Sequence, residues 1–310
     1  MERMMRLVFM ATGDIALPAF RKLLERGPRP MALVTQPDKP VGRHQMLMPP
    51  TIKTEALEAG IPVFQPTVVG EAAADLRMLS PEVIVVMAYG QILKRDILDL
   101  PSLAIINLHA SLLPRHRGAS CIQAAIAAGD KRTGITAMHV VPRLDSGDVI
   151  HAKSLRIEDD DTGGSLHDRL ADLAPDVLVE TLKRLANGTA ERKPQDESLA
   201  TYAAKLGRDD GKVDWRQPAA NLARRIRAFD PWPGSHTVTN EGGFSRRLKL
   251  FAPVEVLEVT LEPGRTLERD GKLVVGCGEG ALAFCEIQPE GSRRMHCVDY
   301  LRGRPLPEIS

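Results

Sequence analysis

Two polar residues near the end of an apolar segment could stabilise negative charge on an acyl oxygen. The apolar residues 103–106 lead into Asn107-Leu108-His109, which predicts a buried strand that ends close to His109. Residues i and i+2 of a strand share one face, so the amide of Asn107 and the imidazole of His109 are predicted to lie side by side. Both groups can donate hydrogen bonds to the oxyanion of a tetrahedral intermediate, the imidazole when it is protonated.

A carboxylate follows a second apolar segment. Ile135–Val141 precedes the turn-forming sequence Pro142-Arg143-Leu144-Asp145-Ser146-Gly147-Asp148. If the two strands are neighbours, Asp145 reaches the same end of the sheet as Asn107 and His109. The carboxylate could then stabilise a protonated imidazole and help to remove a proton from an attacking ammonium group. These three residue types, with no Ser or Cys as nucleophile, favour direct acyl transfer. The alternative interpretation is structural, because an Asn at a strand end is usually a turn former, a lone His is usually a satisfied polar residue, and Asp-x-Gly is a common turn.

Short apolar runs alternate with helical patterns through the first half of the chain. The predicted strands are Arg6–Met10, Met31–Thr35, Pro62–Phe64, Val83–Met87, Ala104–Leu108 and Ile135–Val141. Apolar residues recur at helical intervals in Ile15–Arg26, Thr51–Ala59, Glu71–Leu79 and Cys121–Ala128. This alternation predicts a Rossmann-like α/β fold, with a mostly parallel sheet and helices on both faces. Active sites of such sheets lie beyond the carboxyl ends of the strands, where Asn107 and His109 are expected.

The second half of the chain has a different pattern. Ser165–Asn187 is predicted to form a long amphipathic helix, and the polar residues 189–208 are predicted to form a linker. A helical pattern then covers Ala219–Phe229, and short strand patterns follow near Lys249–Ala252, Val254–Val259, Leu273–Val275 and Leu282–Ile287. We therefore predict an N-terminal α/β domain over 1–188, a linker over 189–208 and a small C-terminal β-barrel over 209–310.

The overall composition is ordinary for a globular protein, with 43% hydrophobic and 26% charged residues and a formal net charge of +1. Such a balanced charge gives no global attraction to nucleic acid, so any such contact would use local basic patches. No apolar run approaches the ~18 residues of a membrane span, and we expect a cytoplasmic protein with no membrane contact. The four cysteines lack the spacing of a disulfide framework or a metal site, so reduced thiols and no metal are predicted.

The turn after the first predicted strand, Ala11-Thr12-Gly13-Asp14, offers an alternative function. It could be a dinucleotide-binding loop, but it contains one glycine where the usual fingerprint has three. An ordinary strand-to-helix turn, with local affinity for anions at the start of the helix, is the favoured interpretation.

The sequence around the three polar residues resembles the signature of the folate-dependent formyltransferases. The segment from Asn107 to Pro114 is followed by Arg117-Gly118-Ala119 and Ile122-Gln123. Further similarity, to the branch of the family that formylates methionyl-initiator tRNA, extends over nearly the whole chain. It is carried by residues 35–40, 42–43, 62–66, 88–93, 144–148, 164–168, 201–203, 205, 214–215, 225–229 and 231–233. The later segments are the more specific, because they lie in the C-terminal domain that accompanies the tRNA-directed enzymes.

The resemblance implies a reaction, two substrates and a set of site residues. The formyl group of 10-formyltetrahydrofolate would pass to the amino group of methionyl-initiator tRNA, with Asn107, His109 and Asp145 as the catalytic residues. The folate would be bound by Gln91, Ile92, Leu93, Ser111, Leu112, Leu113, Pro114 and Val141. The tRNA would contact Arg43, in an insertion loop over 36–49, and the C-terminal domain would resemble an oligonucleotide-binding (OB) barrel. Independently of the resemblance, the clustering of basic residues in that domain makes Arg224, Arg246, Arg247 and Lys249 candidate phosphate contacts, and solvated surface explains such clusters equally well. We expect a monomer that uses no metal.

Two departures from the family pattern concern local structure. Ala11-Thr12-Gly13-Asp14-Ile15 replaces the usual Gly-Thr-Pro, acidic residue and Phe, and Cys121 replaces a common proline. Both changes bear on loop shape and folate affinity rather than on the three catalytic candidates.

Three alternative functions remain open at this stage. They are a formyltransferase acting on an amino-sugar nucleotide, a hydrolase that releases formate from the same folate, and a non-catalytic tRNA-binding relative. The 36–49 loop and the C-terminal segments argue against the first, and the intact set of catalytic candidates argues against the last.

Overall fold

The computed structural model describes residues 5–41, 45–241, 244–302 and 304–309. The chain divides into two compact units. The first consists of Met1–Gly118, Thr133–Leu155 and His167–Tyr202, and the second of Ala119–Arg132, Arg156–Leu166 and Ala203–Ser310. The domain boundaries at residues 188 and 208 stay a prediction.

A seven-stranded sheet forms the centre of the first unit. In spatial order its strands are β5 (Val63–Phe64), β2 (Ala32–Val34), β1 (Leu7–Ala11), β6 (Val83–Met87), β7 (Ala104–His109), β8 (Arg132–His139) and β9 (Val149–Arg156). The pairs from β5 to β7 are parallel, whereas β7 and β8 are antiparallel. The predicted Rossmann-like, mostly parallel sheet is therefore confirmed. A separate hairpin pairs β3 (Lys39–Val41) with β4 (Met46–Met48).

Helices accompany these strands along the chain. They are α1 (Leu17–Arg26), α2 (Thr51–Glu58), α3 (Ala73–Leu79), α4 (Arg95–Leu98) and α6 (Gly163–Ala186), with short 3-10 turns at Asp14–Ala16, Val69–Ala72 and Glu197–Leu199. All five residues of β1 and of β6 are buried, as expected for strands covered on both faces. On one face, Met10 and Ile84 pack in a cluster with Leu76 of α3 and Ile97 of α4. Each such buried side chain contributes about 1.5–3 kcal/mol to folding, which gives the site residues a rigid base.

The second unit is rich in antiparallel strands, as predicted. One sheet has the order β17 (Met295–His296), β16 (Glu286–Pro289), β11 (Phe244–Leu250), β10 (Ser235–Glu241) and β18 (Glu308–Ile309). The other has the order β12 (Val254–Leu257), β15 (Ala281–Phe284), β14 (Lys272–Gly276) and β13 (Thr266–Arg269). Helices α5 (Cys121–Ala128), α7 (Ala219–Ala228) and α8 (Cys297–Leu301) complete this unit. Its core combines Leu222 and Ile226 of α7 with Leu248, Phe284 and Ile287 of the sheets.

Within the described ranges, no helix is both long and apolar enough to cross a membrane. All four cysteines are free thiols, and Cys121, Cys277 and Cys297 are buried.

Candidate active site

His109 is the last residue of β7 and its side chain is 8% exposed. Its Nε2 atom lies 2.9 Å from the backbone carbonyl oxygen of His116. A carbonyl oxygen can only accept a hydrogen bond, so Nε2 carries a proton and donates it. This contact fixes the plane of the imidazole and directs Nδ1 to the other side of the ring.

Asp145 lies on that other side. Its Oδ2 atom is 3.7 Å from Nδ1 of His109 and accepts a hydrogen bond of 2.8 Å from the backbone N–H of Gly118. The distance to Nδ1 is too long for a hydrogen bond but allows an ion pair when the imidazole is protonated. Within the described part of the chain, Oδ1 of Asp145 accepts no hydrogen bond, so this oxygen is available to take a proton.

Asp145 approaches His109 by a route that the sequence did not indicate. The strands β7 and β8 are neighbours, as expected, but they run antiparallel with Ile106 opposite His139. The end of β8 therefore lies beside the middle of β7, and the turn after β8 must bring Asp145 back to His109. This turn lies close to the strand, because a side chain at Gly147 would meet the carbonyl oxygen of His139 at 1.8 Å.

Asn107 lies two residues before His109 on β7, so both side chains project from the same face of the strand. Its side chain is partly exposed. Among the residues that the structure describes, none forms a hydrogen bond with its amide, so the two N–H groups of this amide are open to a bound molecule.

A network of polar side chains that sequence reasoning missed surrounds this site. The guanidinium of Arg117, which is 0% exposed, donates to Gln195, Glu197 and the hydroxyl of Tyr202. Its hydrogen bonds to Glu197 lower the pKa of that carboxyl group and raise the pKa of Arg117. The amide of Gln195 in turn donates to the backbone of the turn that carries Asp145.

The sequence analysis interpreted the two segments of this network, the motif around Arg117 and residues 195–202, in different ways. Arg117 stood within the recognised motif but without an assigned role. Residues 195–202 fell in the segment predicted as a linker, because they are polar and lack periodicity. A pattern of that kind does not distinguish an exposed linker from a segment that pairs with a buried arginine.

The predicted folate residues lie in three segments that each follow a strand. Gln91, Ile92 and Leu93 come after β6, the residues Ser111 to Pro114 after β7, and Val141 after β8. Ser111 and Leu93 are buried, whereas Ile92 is 76% exposed and Val141 is 38% exposed. The side chain of Gln91 bonds to the backbone of Val69 and Thr67, so it shapes its loop as well as being a candidate for ligand contact.

The predicted tRNA contacts lie at separate places. Arg43 is outside the residues that the structure describes. Arg246, Arg247 and Lys249 are exposed on β11, and Arg247 and Lys249 project from the face opposite to the buried Leu248 and Leu250. Arg224 lies on α7 and donates to the carbonyl oxygen of Ala127 at 3.3 Å and to Asn221.

Two family models match most of the chain. The formyl transferase model matches residues 5–182, and the model of the formyl transferase C-terminal domain matches residues 205–305. The chain therefore belongs to the formyl transferases, a family of one-carbon group transferases. It is 51% identical over 306 residues to the methionyl-tRNA formyltransferase of Akkermansia muciniphila, with 97% of each chain covered. Within the formyl transferases, it belongs to the methionyl-tRNA formyltransferase family. The resemblance inferred from the motifs is confirmed.

Solved structures share the fold at low sequence identity. HypX from Aquifex aeolicus, in complex with tetrahydrofolic acid, has a TM-score of 0.65 and 18% identity. The match covers 96% of this chain but 47% of HypX, so this chain spans about half the length of that protein. An N-formyltransferase from Helicobacter canadensis, in complex with folinic acid and dTDP-3-aminofucose, has a TM-score of 0.66 and 17% identity, with 91% of this chain and 99% of that chain covered.

Proposed function

We propose that this protein transfers the formyl group of 10-formyltetrahydrofolate to the amino group of methionyl-initiator tRNA. The observation that carries the proposal is the 51% identity to a methionyl-tRNA formyltransferase across 97% of both chains. Folate as the donor is supported by the shared fold of HypX, which was solved with tetrahydrofolic acid. A monomeric state and a cytoplasmic location belong to the same proposal.

The reaction is a direct attack of an amine on an acyl carbon. The methionyl nitrogen forms a bond to the formyl carbon, and the carbonyl oxygen becomes an oxyanion. The bond between the formyl carbon and N10 of the folate then breaks. N10 receives a proton in place of the formyl group, which leaves tetrahydrofolate and N-formylmethionyl-tRNA.

Asn107 is the proposed oxyanion donor. Its N–H groups have no hydrogen-bond acceptor within the described residues, and they project from the strand face that also carries His109. A donor that is already in place costs no reorganisation when the negative charge develops, and is typically worth ~3–4 kcal/mol of transition-state stabilisation.

His109 is proposed to add positive charge beside this oxyanion. The bond from Nε2 to the carbonyl of His116 sets the orientation of the ring, and the carboxylate of Asp145 lies on the Nδ1 side. A proton on Nδ1 would therefore face both the carboxylate and the reacting group, and would stabilise a negative charge there.

Asp145 is the proposed acceptor of the ammonium proton. Its Oδ2 is held by the N–H of Gly118, which leaves Oδ1 to receive the proton directly or through a water molecule. The amine loses this first proton before it attacks, and its second proton balances N10 of the folate.

The folate is proposed to contact the segments of Gln91 to Leu93 and Ser111 to Pro114, together with Val141. The first two segments follow the adjacent parallel strands β6 and β7, whose carboxyl ends lie at the same edge of the sheet. Ligands of open α/β sheets bind at such edges.

A formyl-transfer assay tests the function. Wild-type protein and His109→Ala would be incubated with radiolabelled 10-formyltetrahydrofolate and methionyl-initiator tRNA, with His167→Ala as a control on the partly exposed His167 of α6. We expect transfer by the wild type and by the control, and at least a 100-fold loss in His109→Ala.

The same assay separates the alternatives. Label transferred to an amino-sugar nucleotide but not to the tRNA would refute the assigned acceptor, and formate released without either acceptor would indicate a hydrolase. If the wild type bound the tRNA but transferred no label, a non-catalytic tRNA-binding protein would be the better interpretation.

A further inference from the structure

We infer that Gln195 is a positioning residue that fixes the turn carrying Asp145, with its own amide oriented by Arg117. The inference rests on the proposed function, in which Asp145 accepts the ammonium proton. It assigns a part in the reaction to a residue that does not touch the reacting atoms.

The amide of Gln195 joins the buried arginine to the turn. Its Nε2 atom donates to the backbone carbonyl oxygens of Asp145, at 2.9 Å, and Gly147, at 2.8 Å. Its Oε1 atom accepts from Nε of Arg117 at 3.1 Å and from Nη2 at 2.7 Å. Because a guanidinium only donates and a carbonyl only accepts, the reversed amide would place like groups against each other on both sides. One orientation is therefore fixed.

Arg117 can fix this orientation because it is itself held firmly. Its side chain is 0% exposed, and Nη1 and Nη2 also donate to Glu197 at 3.2 and 2.8 Å. Its backbone N–H donates to the carbonyl oxygen of Thr201 at 2.8 Å. A buried charge with this many partners has no alternative position of similar energy, so the guanidinium is a rigid support for the amide.

The turn needs such support because its backbone is unusual. Asp145 has a φ of +48°, a left-handed conformation that non-glycine residues rarely adopt. Contacts from the surrounding structure must stabilise such a residue, and the carbonyl of Asp145 itself receives one of them from Gln195. A second contact comes from Arg143 earlier in the turn, which pairs with Glu197 at 2.8 Å.

Arg117 also belongs to the loop that contacts both His109 and Asp145. The loop of residues 116–118 provides the carbonyl that holds His109 and the N–H that holds Oδ2 of Asp145, and Arg117 lies between these two contacts in the sequence. Gln195 and Arg117 therefore set the position of the carboxylate from both of the segments that contact it.

The first test compares Gln195→Ala with the wild type in the formyl-transfer assay. A small displacement of a reacting group can cost about 100-fold in rate, so we expect kcat to fall about 10- to 100-fold, with KM for the folate and for the tRNA within about two-fold of the wild type. Glu191→Ala, on an exposed residue of the same segment, is the control.

A second variant, Gln195→Glu, keeps an acceptor for Arg117 but loses the donor to the turn, and we expect a similar fall in kcat. Wild-type kcat in both Gln195 variants would overturn the inference.

The second test measures the coupling to Asp145 in single-turnover reactions. When Asp145 is already changed, its position no longer matters, so Gln195→Ala should slow Asp145→Asn by less than about two-fold. If the two losses multiplied instead, Gln195 would act independently of Asp145 and the inference would be wrong.

The single variants distinguish failure of the inference from failure of the proposed mechanism. A wild-type rate in Asp145→Asn would refute the proposed mechanism itself, and the inference with it. A slow Asp145→Asn with a fast Gln195→Ala would refute the inference alone.

Discussion

The carboxylate of Asp145 and the imidazole of His109 lie 3.7 Å apart, measured from Oδ2 to Nδ1, although the strands that precede them are antiparallel. Each partner is held by the loop that follows β7, His109 through the carbonyl of His116 and Asp145 through the N–H of Gly118. This loop therefore contributes to the spacing between the two groups, and changes in it should alter catalysis without changing the reacting residues.

The role of Asn107 can be tested by Asn107→Ala. Loss of one oxyanion donor typically lowers kcat by about 100- to 1,000-fold, and we expect a fall of this size with little change in KM. Asn107 is partly exposed, so the free energy of unfolding should change by less than about 1 kcal/mol. Asn187→Ala, at an exposed residue beyond α6, is the matched control. A kcat within three-fold of the wild type would remove the assigned role.

The role of Arg43 can be tested although it lies outside the described residues. Arg43→Ala should raise KM for methionyl-initiator tRNA about 10- to 150-fold, because a charge-assisted contact with phosphate is worth about 1.5–3 kcal/mol. Binding of a free folate analogue, measured by calorimetry, should stay unchanged. Lys22→Ala on α1 removes a positive charge elsewhere in the first unit and serves as the control. Equal losses of tRNA use and folate binding would contradict the assignment.

The basic residues of β11 predict a salt-dependent contact with tRNA. Arg247 and Lys249 project from one face of the strand, and a double change of both to Ala should weaken tRNA binding. Each phosphate contact that is lost should reduce the slope of log K against log salt by about 0.7–0.9. Binding would be measured across a salt series, with Arg269→Ala on β13 as the control. An unchanged slope would show that this face does not contact phosphates.

Arg246 and Arg224 do not lie on the strand face that carries Arg247 and Lys249. Their contributions to tRNA binding would therefore be measured separately, with the single changes Arg246→Ala and Arg224→Ala. Arg246 lies two residues before the buried Leu248, so it is on the same face of β11 as that residue. Arg224→Ala removes the contact with Ala127, so part of its effect should appear as a lower free energy of unfolding.

The burial of His139 leads us to expect that the folded protein loses stability in acid. Within the described structure its Nε2 atom is buried with no hydrogen-bond partner. Burial lowers the pKa of His139 below its ordinary value of 6.5, and the charge of Arg192 adds to this effect. The unfolded chain therefore binds a proton at higher pH than the folded protein does, so the free energy of unfolding falls as the pH drops below about 6.5 and levels off below the folded pKa.

His139→Gln should reduce this loss. Urea unfolding at pH 7 and pH 5 should show a smaller difference in free energy for the variant than for the wild type. The difference in an Asn187→Gln control, which changes an exposed residue that does not titrate, should match that of the wild type. If the His139 variant showed an undiminished difference, the acid sensitivity would come from other groups, such as His151 and His236, whose pKa values burial also lowers.

The core of the fold could be predicted from the sequence because local patterns determine it. The strand over Val83–Met87 was predicted with its observed bounds, since an uninterrupted apolar run between polar residues has few other interpretations. The strand β9 was missed, because it carries the exposed residues Lys153, Ser154 and Arg156 and lacks the apolar alternation of a half-buried strand. The strand β10 was missed for a related reason: Ser235, Thr237 and Thr239 are buried polar residues.

The candidate site could be predicted only in part. Asn107 and His109 share a strand, so their proximity follows from strand geometry alone. The approach of Asp145 depends on the direction of β8 and on the path of a turn, which no local pattern specifies. The role of Gln195 depends on contacts with Arg117 and with the turn at Asp145, both distant along the chain, and such pairings become visible only in three dimensions.

The buried guanidinium of Arg117 also limits where the chain could be divided to obtain the first unit alone. A fragment that ended at residue 188 would lack Gln195, Glu197 and Tyr202, and the charge would lose its acceptors inside the protein. A buried charge that loses its acceptors strongly destabilises a protein, and the total stability of a domain is small. A soluble, correctly folded fragment should therefore extend at least to Tyr202.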